Sequence, residues 1–555
     1  MDRRTGTTST RGTTSTTSAA SATNARDIGR RGVITAGAAL ALGAGASACS
    51  TGAGGNSAAP SGPAGTTTSM ATATGAASKR PTGPAWTAFA KGLDGELVRP
   101  GDTDWPSARQ LYNTRFDALK PAAVAYAAHE DDIRTALEFA RKSGTPISIR
   151  NGGHSYAGWS SGDGRLILDV SRLKSVRASA GSATVGAGAK LIDVYRPLAA
   201  KGVTVPAGSC PSVGVSGLTL GGGHGVTSRA YGLTCDSLTR ATVITADGRR
   251  LVCTADGTDE NAELFWALRG AGNGNFGVVT ELEFRTHPAP QGVTGYLTWP
   301  WRKATALLKA WQEWGPDQPD EIWSSLHLAA APGGGPTISL AVFSMGTYGE
   351  LQNAVDRLAD GPGGPGSASN VSLKRRSYLD AMEVYAGCAG FGDDALCHLP
   401  GSTPGRDTAG ALGRETYAAR SDFYSRALSD AGVRALLTRV EKVAGGPGSV
   451  ALTALGGAVN RVDPTATAFV HRRERMLAQY VGAWRAGTSG TASRAWLDGT
   501  HAAMRPYASG AAYQNYTDPS LKDWRTAYYG PAAGRLKKLK ERYDPERLFS
   551  FPQAL

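Results

Sequence analysis

Two glycine-rich stretches of this chain each present a nucleophilic side chain. Residues 150–158 follow the apolar run 146–149 and carry His154, and residues 208–225 carry Cys210 ahead of a dense run of glycines. Because glycines at this density cost backbone entropy on folding, they indicate a main chain that turns tightly or lies directly against a ligand. The pattern therefore predicts that the two loops hold a large cofactor.

Together the two stretches resemble the vanillyl-alcohol-oxidase-like flavoproteins, and within them the berberine-bridge-enzyme-like branch, in which FAD is held by two covalent bonds. The resemblance implies that His154 bonds to the 8α-methyl group of the isoalloxazine and Cys210 to its C6. It also implies a PCMH-type FAD-binding domain of two subdomains, an α/β substrate domain with an antiparallel sheet, and a C-terminal segment that returns to the FAD domain. Beyond the two loops, it is carried by the stretches 512–518, 528–530, 535–537 and 543–549.

Each predicted cofactor ligand also has an ordinary interpretation, since a single histidine is more often a surface or capping residue and a single cysteine a buried thiol. Neutral imidazole is the reactive form of His154, and a reference pKa of about 6.5 supplies it without special activation. Beside backbone N–H groups, Cys210 is expected to have partial thiolate character. The glycines are expected to let main-chain amides bind the FAD pyrophosphate without a lysine. The predicted cofactor-binding residues are Asn151, Gly152, Gly153, His154, Ser155, Cys210, Gly214, Gly217, Gly221, Gly222, Gly223, His224, Gly277, Val279 and Asn515.

His224 stands where an apolar residue is more usual in the family that the chain resembles. Two interpretations are open for it. The side chain is either a second contact around the flavin or simply packed.

Two tyrosines in the C-terminal stretch are the predicted catalytic residues. The resemblance implies that Tyr516 takes a proton from the substrate, that Tyr513 lines the same face and that Asn515 lies near the flavin. The alternative is that both rings are core aromatics of a strand. A tyrosine with a reference pKa of about 10 is a poor base at neutral pH unless positive charge or hydrogen bonds lower that pKa. The sequence does not identify the charge that would do so.

Residues 272–277 match the G-x-G-x-x-G fingerprint of dinucleotide-binding folds. That fingerprint needs a preceding strand and a following helix, whereas the predicted order here is a helix over 263–268, the loop, and a strand over 278–284. A nicotinamide site is therefore excluded. The loop is either a contact with FAD, as the resemblance implies, or a structural turn.

The order of the predicted elements favours an α+β fold over a doubly wound sheet. From residue 122 short strands alternate with few helices, the clearest helix spans 131–143, and a hairpin is predicted over 240–254. In that hairpin Cys253 would pair with Thr242.

The predicted organisation is an FAD-binding domain over 86–290, a substrate domain over 291–503 and a C-terminal segment over 504–555.

The start of the chain is interpreted as an export signal followed by a flexible linker. An arginine pair at 30–31 precedes a short, weakly apolar run, which indicates twin-arginine export. Residues 46–49 fit either a small-residue cleavage site or a degenerate lipoprotein box with lipidation of Cys49. A signal is thus predicted over 1–49 and a flexible linker over 50–85. The expected location is extracellular or cell-surface, with a membrane contact only through that lipid anchor.

The positive charge of the chain does not indicate a nucleic-acid partner. Of the formal net charge of +13, residues 1–80 hold eight Lys or Arg and two Asp or Glu, which is +6, so +7 is left for the rest. Without basic runs interleaved with aromatics, this balance indicates a solvated surface.

Cys388 and Cys397 are predicted to form a disulfide, and Cys235 and Cys253 to be packed thiols. The sequence has no metal-ligand spacing, so no metal is expected.

These observations predict an exported, monomeric, FAD-dependent oxidase. Hydride would pass to the flavin from a hydroxyl carbon, or from another C–H activated by neighbouring oxygen or nitrogen, while Tyr516 removes a proton. Molecular oxygen would reoxidise the flavin with release of hydrogen peroxide. The substrate would be a small molecule of the sugar, alkaloid or polyketide type. Two alternatives stay open: a flavin dehydrogenase or oxidative cyclase that uses another acceptor, and a surface lipoprotein that binds a ligand without turnover.

Overall fold

The computed structural model describes residues 81–257, 259–391 and 393–555. The predicted signal over 1–49, with Cys49, and nearly all of the predicted linker lie outside the described residues. The first helix begins at Gly83, inside the stretch that was predicted as linker. Within the described ranges, no helix combines the length and the apolar character that crossing a bilayer requires.

The first part of the chain forms two main sheets. A four-stranded sheet has the order β1-β2-β4-β3, in which β1 is antiparallel to a parallel trio, and a five-stranded antiparallel sheet has the order β5-β6-β10-β8-β9. Strands β7 and β11 form a separate pair. The elements are α1 (Gly83–Lys91), β1 (Glu96–Val98), α2 (Trp105–Ala108), β2 (Ala123–Tyr126), α3 (Glu130–Ser143), β3 (Ile147–Arg150), β4 (Leu166–Asp169), β5 (Val176–Ser179), β6 (Ser182–Gly186), α4 (Leu191–Ala199), β7 (Val203–Thr204), α5 (Val215–Leu220), α6 (Ser228–Tyr231), β8 (Leu238–Thr245), β9 (Arg250–Thr254), α7 (Asp259–Leu268), β10 (Gly277–Arg285) and β11 (His287–Pro288).

Helix α3 illustrates how the sequence determines where an element begins, which face it buries and where it ends. Acidic residues at 130–132 occupy its first turn, where they stabilise the positive end of the helix dipole. Ile133 and Leu137 recur at helical spacing and are buried in the core of this part of the chain. Gly144 ends the helix with a φ of +64°, a conformation that glycine adopts readily. The predicted helix is thus confirmed, with its start one residue earlier.

The second part of the chain is built on one large antiparallel sheet. Its seven strands have the order β15-β12-β14-β13-β17-β18-β16. The elements are β12 (Gly292–Trp299), α8 (Ala304–Trp314), β13 (Ile322–Ala330), β14 (Thr337–Ser344), α9 (Tyr348–Asp360), β15 (Asn370–Arg376), α10 (Tyr378–Ala386), β16 (Tyr417–Tyr424), α11 (Asp430–Glu441), β17 (Gly448–Ala454), α12 (Ala458–Arg461), β18 (Met476–Ala483) and α13 (Thr491–Met504). The α+β class and the antiparallel sheet are confirmed, while the predicted domain boundaries stay predictions.

This large sheet uses its two faces differently. Along β13, Ile322 and Leu326 belong to the hydrophobic core shared with helices α8, α9, α11 and α13. Successive side chains of a strand point to opposite faces. Trp323, Ser325 and His327 therefore lie on the other face, where they line a cavity.

The C-terminal segment returns to the first part of the chain, as predicted. Its helices are α14 (Trp524–Tyr529) and α15 (Ala533–Tyr543). Tyr528 and Leu536 join the same core as α3 and β10. Lys540, buried on α15, donates a 2.7 Å hydrogen bond to the Asn275 carbonyl and pairs with Asp544 at 2.7 Å. The pair with Asp544 balances the buried charge of Lys540, and the hydrogen bond to Asn275 anchors the segment that carries Tyr516 to the first part of the chain.

Cysteines 235, 253, 388 and 397 are paired or unpaired as predicted, with one difference in strand register. Cys388 and Cys397 form a disulfide, and Cys235 and Cys253 are buried without one. The predicted hairpin forms from β8 and β9, but Cys253 pairs with Ala241, and the predicted pairing with Thr242 is wrong.

The register of this hairpin differs because its loop is longer by one residue than a two-residue turn. Thr245 N donates to the Arg249 carbonyl at 3.0 Å, which encloses residues 246–248, and Gly248 has a φ of +87°. A three-residue loop with a glycine in the left-handed region is a common hairpin connection. One residue more in the loop moves every cross-strand pair by one.

Candidate active site

A cavity of about 400 Å³ lies where the two glycine-rich loops, the C-terminal segment and the inner face of the large sheet meet. This volume falls within the range of small-molecule and cofactor sites. The residues that line it lie within segments 147–160, 208–226, 273–275, 323–327, 451–453, 513–517 and 549–553, with several further single residues.

The two loops touch each other through glycine. A Cβ placed on Gly152 would lie 2.5 Å from both the Gly214 nitrogen and the Ser212 carbonyl oxygen, so no larger residue fits. Asn151 ties the same loops to their surroundings: its Nδ2 donates to Ser216 Oγ at 3.2 Å, and Lys190 donates to its Oδ1. The density of glycine seen in the sequence is therefore explained here by backbone approaching backbone.

His154 is held as a neutral imidazole. Its ring stacks on Tyr112, with centroids 4.0 Å apart and 19° between the planes, and its Nε2 lies 2.9 Å from Ser212 Oγ. Burial and, to a smaller extent, the nearby Lys190 ammonium together lower the pKa of His154 to about 3. The ring is thus in the form that a nucleophile needs at neutral pH.

Cys210 lines the same cavity as His154, so the structure brings the two predicted cofactor ligands to one site. Its sulfur is in a disulfide in this structure. The predicted thiolate character therefore concerns the reduced side chain only. Cys235 is a different case, because burial raises the pKa of its thiol and leaves it a packed, unreactive group.

Most of the predicted site residues line the cavity, although their roles stay predictions. Those that do are Asn151, Gly152, Gly153, His154, Ser155, Cys210, Gly214, Gly217, His224, Tyr513, Asn515 and Tyr516. Those outside the lining are Gly221, Gly222, Gly223, Gly277 and Val279.

The glycines at 221–223 lie outside the cavity lining, where they allow other segments to pack closely, and their role in a pyrophosphate cradle stays a prediction. A Cβ on Gly222 would lie 2.9 Å from the ring of Phe469, and Gly223 N donates a 2.8 Å hydrogen bond to the Tyr513 hydroxyl. An amide that is already bonded to a tyrosine cannot also bind phosphate. Gly217 suits the cradle role better, because an added Cβ there would meet nothing within 4 Å.

The predicted flavin contacts Gly277 and Val279 belong to the five-stranded sheet. They pair with Thr245 and Val243 along β10, so this part of the G-x-G-x-x-G stretch is a strand start. The preceding residues, Asn273, Gly274 and Asn275, do line the cavity. The loop is therefore both a cavity wall and a turn.

Tyr516 is fixed by three aromatic or imidazole neighbours. Its ring stacks on Tyr156 at 5.1 Å and 7°, and meets the edge of Tyr513 at 5.0 Å and 74°. Its hydroxyl lies 2.7 Å from Nε2 of His224. The hydroxyl of Tyr513 has different partners, since its oxygen accepts hydrogen bonds from Gly223 N and, at 2.9 Å, from Asn515 Nδ2. Tyr516, and not Tyr513, therefore has the hydroxyl that can exchange a proton.

The surroundings of Tyr516 do not lower its pKa in the way that a tyrosine acting as a base would need. Burial raises its pKa well above 10, and the neighbouring Tyr156 and Tyr513 raise it further. Its partner His224 is neutral, because burial lowers the pKa of that ring to about 4. The tyrosine is thus a neutral phenol hydrogen-bonded to a neutral imidazole.

The structure adds cavity residues that the sequence reasoning missed. The indole Nε1 of Trp323 and both ring nitrogens of His327 are buried without a hydrogen-bond partner among the described residues. A buried polar atom without a partner costs about 1–3 kcal/mol, which a bound ligand can recover. The available signal was the alternation of tryptophan, serine and histidine at 323, 325 and 327 within a strand whose other residues, apart from Ser324, are apolar.

The described lining fits a large, partly polar cofactor. Amide oxygens of Asn273, Gln514 and Gln553 are buried in this wall without a partner among the described residues. Gly217 leaves open space in the same lining, and aromatic rings of Trp159 and other residues supply apolar surface. Such a mixture suits FAD, which combines flat rings with many hydrogen-bonding groups.

Comparison with known proteins agrees with this geometry. Residues 121–254 match the FAD binding domain family, and residues 512–555 match the family of berberine and berberine-like proteins. The uncharacterized FAD-linked oxidoreductase YgaK of Bacillus subtilis (strain 168) is 30% identical over 468 residues, which cover 83% of this chain and 97% of that protein. The chitooligosaccharide oxidase of Gibberella zeae is 30% identical over 479 residues, covering 82% of this chain and 91% of that protein.

A solved structure has a similar fold over most of this chain. Physcomitrella patens BBE-like 1 matches with a TM-score of 0.75 at 28% identity, covering 85% of this chain and 98% of that one. The fold, the cavity and the matched domains together define an FAD-dependent oxidoreductase. The chain belongs to the berberine-bridge-enzyme-like family of FAD-linked oxidases.

Replacing His327 by Gln is expected to make the stability of the flavin-loaded protein less sensitive to acid. Below about pH 6.5 the unfolded chain protonates this histidine, while the folded protein, in which burial lowers the pKa of His327 to about 4, does not. The contribution of the neutral ring is therefore complete above that pH and falls as the pH drops, by up to ~1.4 kcal/mol per pH unit. Denaturant titrations at several pH values between about 4 and 6.5 measure this slope, which is the change in the free energy of unfolding per pH unit.

His129→Gln is the matched control, because His129 is exposed and Asp94 raises its pKa. A group with a raised pKa adds stability in acid, so its removal should leave the slope unchanged or make it steeper. A wild-type slope in His327→Gln would contradict a neutral His327 in the folded cavity.

Proposed function

We propose that this protein is an exported oxidase that uses covalently held FAD to oxidise a hydroxyl group of an uncharged, hydroxyl-rich small molecule, with molecular oxygen as the electron acceptor and hydrogen peroxide as a product. One observation carries the proposal: a single cavity is lined by His154, Cys210, Tyr516 and the polar face of β13. The export part rests on the arginine pair at 30–31, which lies outside the described residues.

His154 and Cys210 would hold the flavin from two positions. FAD, when bound, supplies the acceptor for hydride. Because Nε2 of His154 is engaged with Ser212, its Nδ1 is the nitrogen that would bond to the 8α carbon. Cys210 would bond to C6 through its sulfur once its disulfide is reduced. Two such bonds would keep the cofactor in place while leaving the rest of the cavity to the substrate.

Tyr516 would take the proton of the substrate hydroxyl. The stacked ring of Tyr156 and the edge of Tyr513 fix the direction of its hydroxyl, so no side-chain entropy has to be lost in the reaction. A positioned general base contributes roughly 10²–10⁴ in rate. Tyr513, whose hydroxyl is already an acceptor of two hydrogen bonds, would shape the wall beside it.

The charge of the lining supports a neutral substrate. Among the described lining residues Arg165 has the only permanent charge, and it donates to the Ser550 carbonyl at 2.6 Å and to Ser148 Oγ at 2.7 Å, beside β3. The face of β13 offers instead the neutral polar groups of Trp323 and His327. An ion buried there would lose its hydration without gaining a partner, at a cost of several kcal/mol.

An oligosaccharide fits these requirements, since sugars combine many hydroxyl groups with apolar faces that stack on aromatic rings. The chitooligosaccharide oxidase similar to this chain is, by its name, active on such a molecule. That relative supports the sugar class for this chain, and it supports an oxidase over a dehydrogenase or oxidative cyclase.

Covalent attachment is tested by acid precipitation of the purified holoprotein followed by mass spectrometry. The yellow colour is expected in the pellet, with one flavin bonded to both His154 and Cys210. His154→Ala and Cys210→Ala should each keep one bond, and the double variant should release the flavin. Cys253→Ser, which changes a buried thiol in another sheet, should keep both bonds. Flavin found entirely in the supernatant of the wild type would reject the attachment.

Tyr516→Phe is expected to bind flavin normally and to lose roughly 10²–10⁴ in kcat, because only the base is removed and the stacked ring stays. Anaerobic flavin reduction, oxygen consumption and peroxide release are measured with the same oligosaccharide. Tyr348→Phe is the control, because that ring is 46% exposed. Unchanged turnover in Tyr516→Phe would remove this residue from the mechanism, and flavin reduction without oxygen consumption in the wild type would indicate a dehydrogenase.

The neutral-substrate proposal is tested with matched oligosaccharides of equal length. An N-acetylated chitooligosaccharide is expected to have a kcat/KM at least about 10-fold higher than its deacetylated amine at neutral pH, because the ammonium group finds no carboxylate in the described lining. The matched uronate should be disfavoured in the same way. Equal values for the neutral and charged sugars would contradict the proposal.

A further inference from the structure

We propose that His224 is the final acceptor of the substrate proton: as Tyr516 Oη takes the proton of the substrate hydroxyl, it passes its own phenolic proton to Nε2 of His224. His224 acts through Tyr516 and is thus a positioning residue for the base. This inference rests on the proposed function, because it concerns the proton that leaves the oxidised hydroxyl.

The geometry of the pair is that of a proton donor and its acceptor. Tyr516 Oη and His224 Nε2 are 2.7 Å apart, a short hydrogen-bond distance, and the two rings meet edge to face at 81°. Nδ1 of His224 is buried without a partner among the described residues. A neutral imidazole that carries its proton on Nδ1 leaves the Nε2 lone pair directed at the tyrosine.

The loop holds His224 in this position. On its C-terminal side, the Gly225 backbone packs so closely on Ala207 that a Cβ on Gly225 would overlap the Ala207 carbonyl oxygen. On its N-terminal side, Gly223 has a φ of +84° and its amide is bonded to Tyr513. The backbone of His224 is therefore fixed on both sides, and its ring packs against the rings of Tyr513 and Tyr516.

A phenol needs such an acceptor, because a neutral tyrosine can take a proton only if it gives its own away. The titratable groups that face the pair are Tyr156, Tyr513, Tyr417 and, behind Tyr513, Cys235. All of these are neutral at neutral pH, since burial raises their pKa values. Among the described residues around Tyr516, His224 is thus the group able to accept the proton.

The step balances without any further reactant. The substrate O–H bond breaks and its proton goes to Tyr516 Oη; the phenolic O–H bond breaks and its proton goes to His224 Nε2; and the substrate C–H bond breaks as hydride leaves for the flavin, the acceptor of the proposed activity. The substrate carbon is oxidised to a carbonyl. Tyr516 ends neutral, and the positive charge gained by His224 is balanced by the negative charge that hydride carries to the cofactor.

The arrangement has a consequence for pH. Because burial lowers the pKa of His224 to about 4, the acceptor stays neutral through the weakly acidic and neutral range. No tyrosinate has to form first, so kcat/KM should be flat across neutral pH. An enzyme that depended on ionised Tyr516 would instead gain activity with each added pH unit, because the pKa of that tyrosine lies well above 10.

The kinetic test compares His224→Leu and His224→Gln with the wild type by anaerobic flavin reduction from weakly acidic to alkaline pH. Both variants should keep normal flavin content and lose about 10²-fold or more in kcat/KM at neutral pH. Their remaining activity should rise about tenfold per pH unit, because Tyr516 must then ionise by itself. Glutamine keeps a hydrogen bond to Tyr516 but is not basic, so it separates proton acceptance from mere orientation.

His287→Gln is the matched control. His287 is also a neutral histidine, with its pKa lowered to about 4 by burial, and it stacks on Tyr231 and lies 2.9 Å from Ser237 Oγ. It is not among the lining residues of the cavity. The wild-type rate and pH profile are expected for this variant.

A second readout does not depend on turnover. Nitrogen-15 NMR of the histidine-labelled holoprotein, with the His224 signals assigned by their loss in His224→Gln, should show a neutral ring with the proton on Nδ1 at about pH 7. Tyr516→Phe should shift the Nε2 signal to that of a nitrogen without a hydrogen-bond donor. A ring protonated on Nε2, or charged at that pH, would overturn the proposal.

The outcomes separate this inference from the proposed function. If neutral oligosaccharides fail to reduce the flavin of the wild type, the proposed activity fails, and the NMR tautomer still decides whether His224 accepts from Tyr516. If the wild type is reduced and His224→Leu is equally fast, or His224→Gln restores the rate and the flat pH profile, the relay is rejected while the activity stands.

Discussion

The site depends first on how closely two backbone loops approach each other at Gly152 and Gly214. A Cβ on Gly152 would lie 2.5 Å from the main chain of the opposite loop, so only hydrogen fits between them. Asn151, held by Lys190 and bonded to Ser216, closes the same contact. This contact is what places His154 and Cys210 on one cavity, and any change that opened the loops would separate the two groups.

A second constraint is that titratable side chains of the site are buried without an oppositely charged partner. Around the reactive end of the cavity, burial keeps His154 and His224 neutral and keeps the pKa of Tyr516 above its ordinary value. Burial is the largest cause of each shift, since a low-dielectric wall disfavours any charged form that has no partner. A site of this kind can move protons between neutral groups but is poorly suited to holding an ion. The same property that supports the proposed neutral substrate also supports the proposed relay over a preformed tyrosinate.

The large sheet and the C-terminal segment complete the cavity from different parts of the chain. The sheet can present Trp323 and His327 to a ligand because its opposite face is covered by helices that pack on Ile322 and Leu326. The C-terminal segment brings Tyr516 back across the molecule, and the buried Lys540 ammonium secures it to the first part of the chain through its hydrogen bond to the Asn275 carbonyl. Neither element would form the site alone.

The sequence by itself determined the local elements and the identity of the two loops, because helical spacing, strand alternation and glycine density are properties of neighbouring residues. Helix α3, the disulfide of Cys388 with Cys397 and most of the predicted lining residues follow from such patterns. Only the tertiary structure decided the close packing around the glycines at 221–223, the placement of His327 and the partner of Tyr516. Those features arise where segments distant along the chain meet, and burial and hydrogen bonding at such meetings are not properties of any one segment.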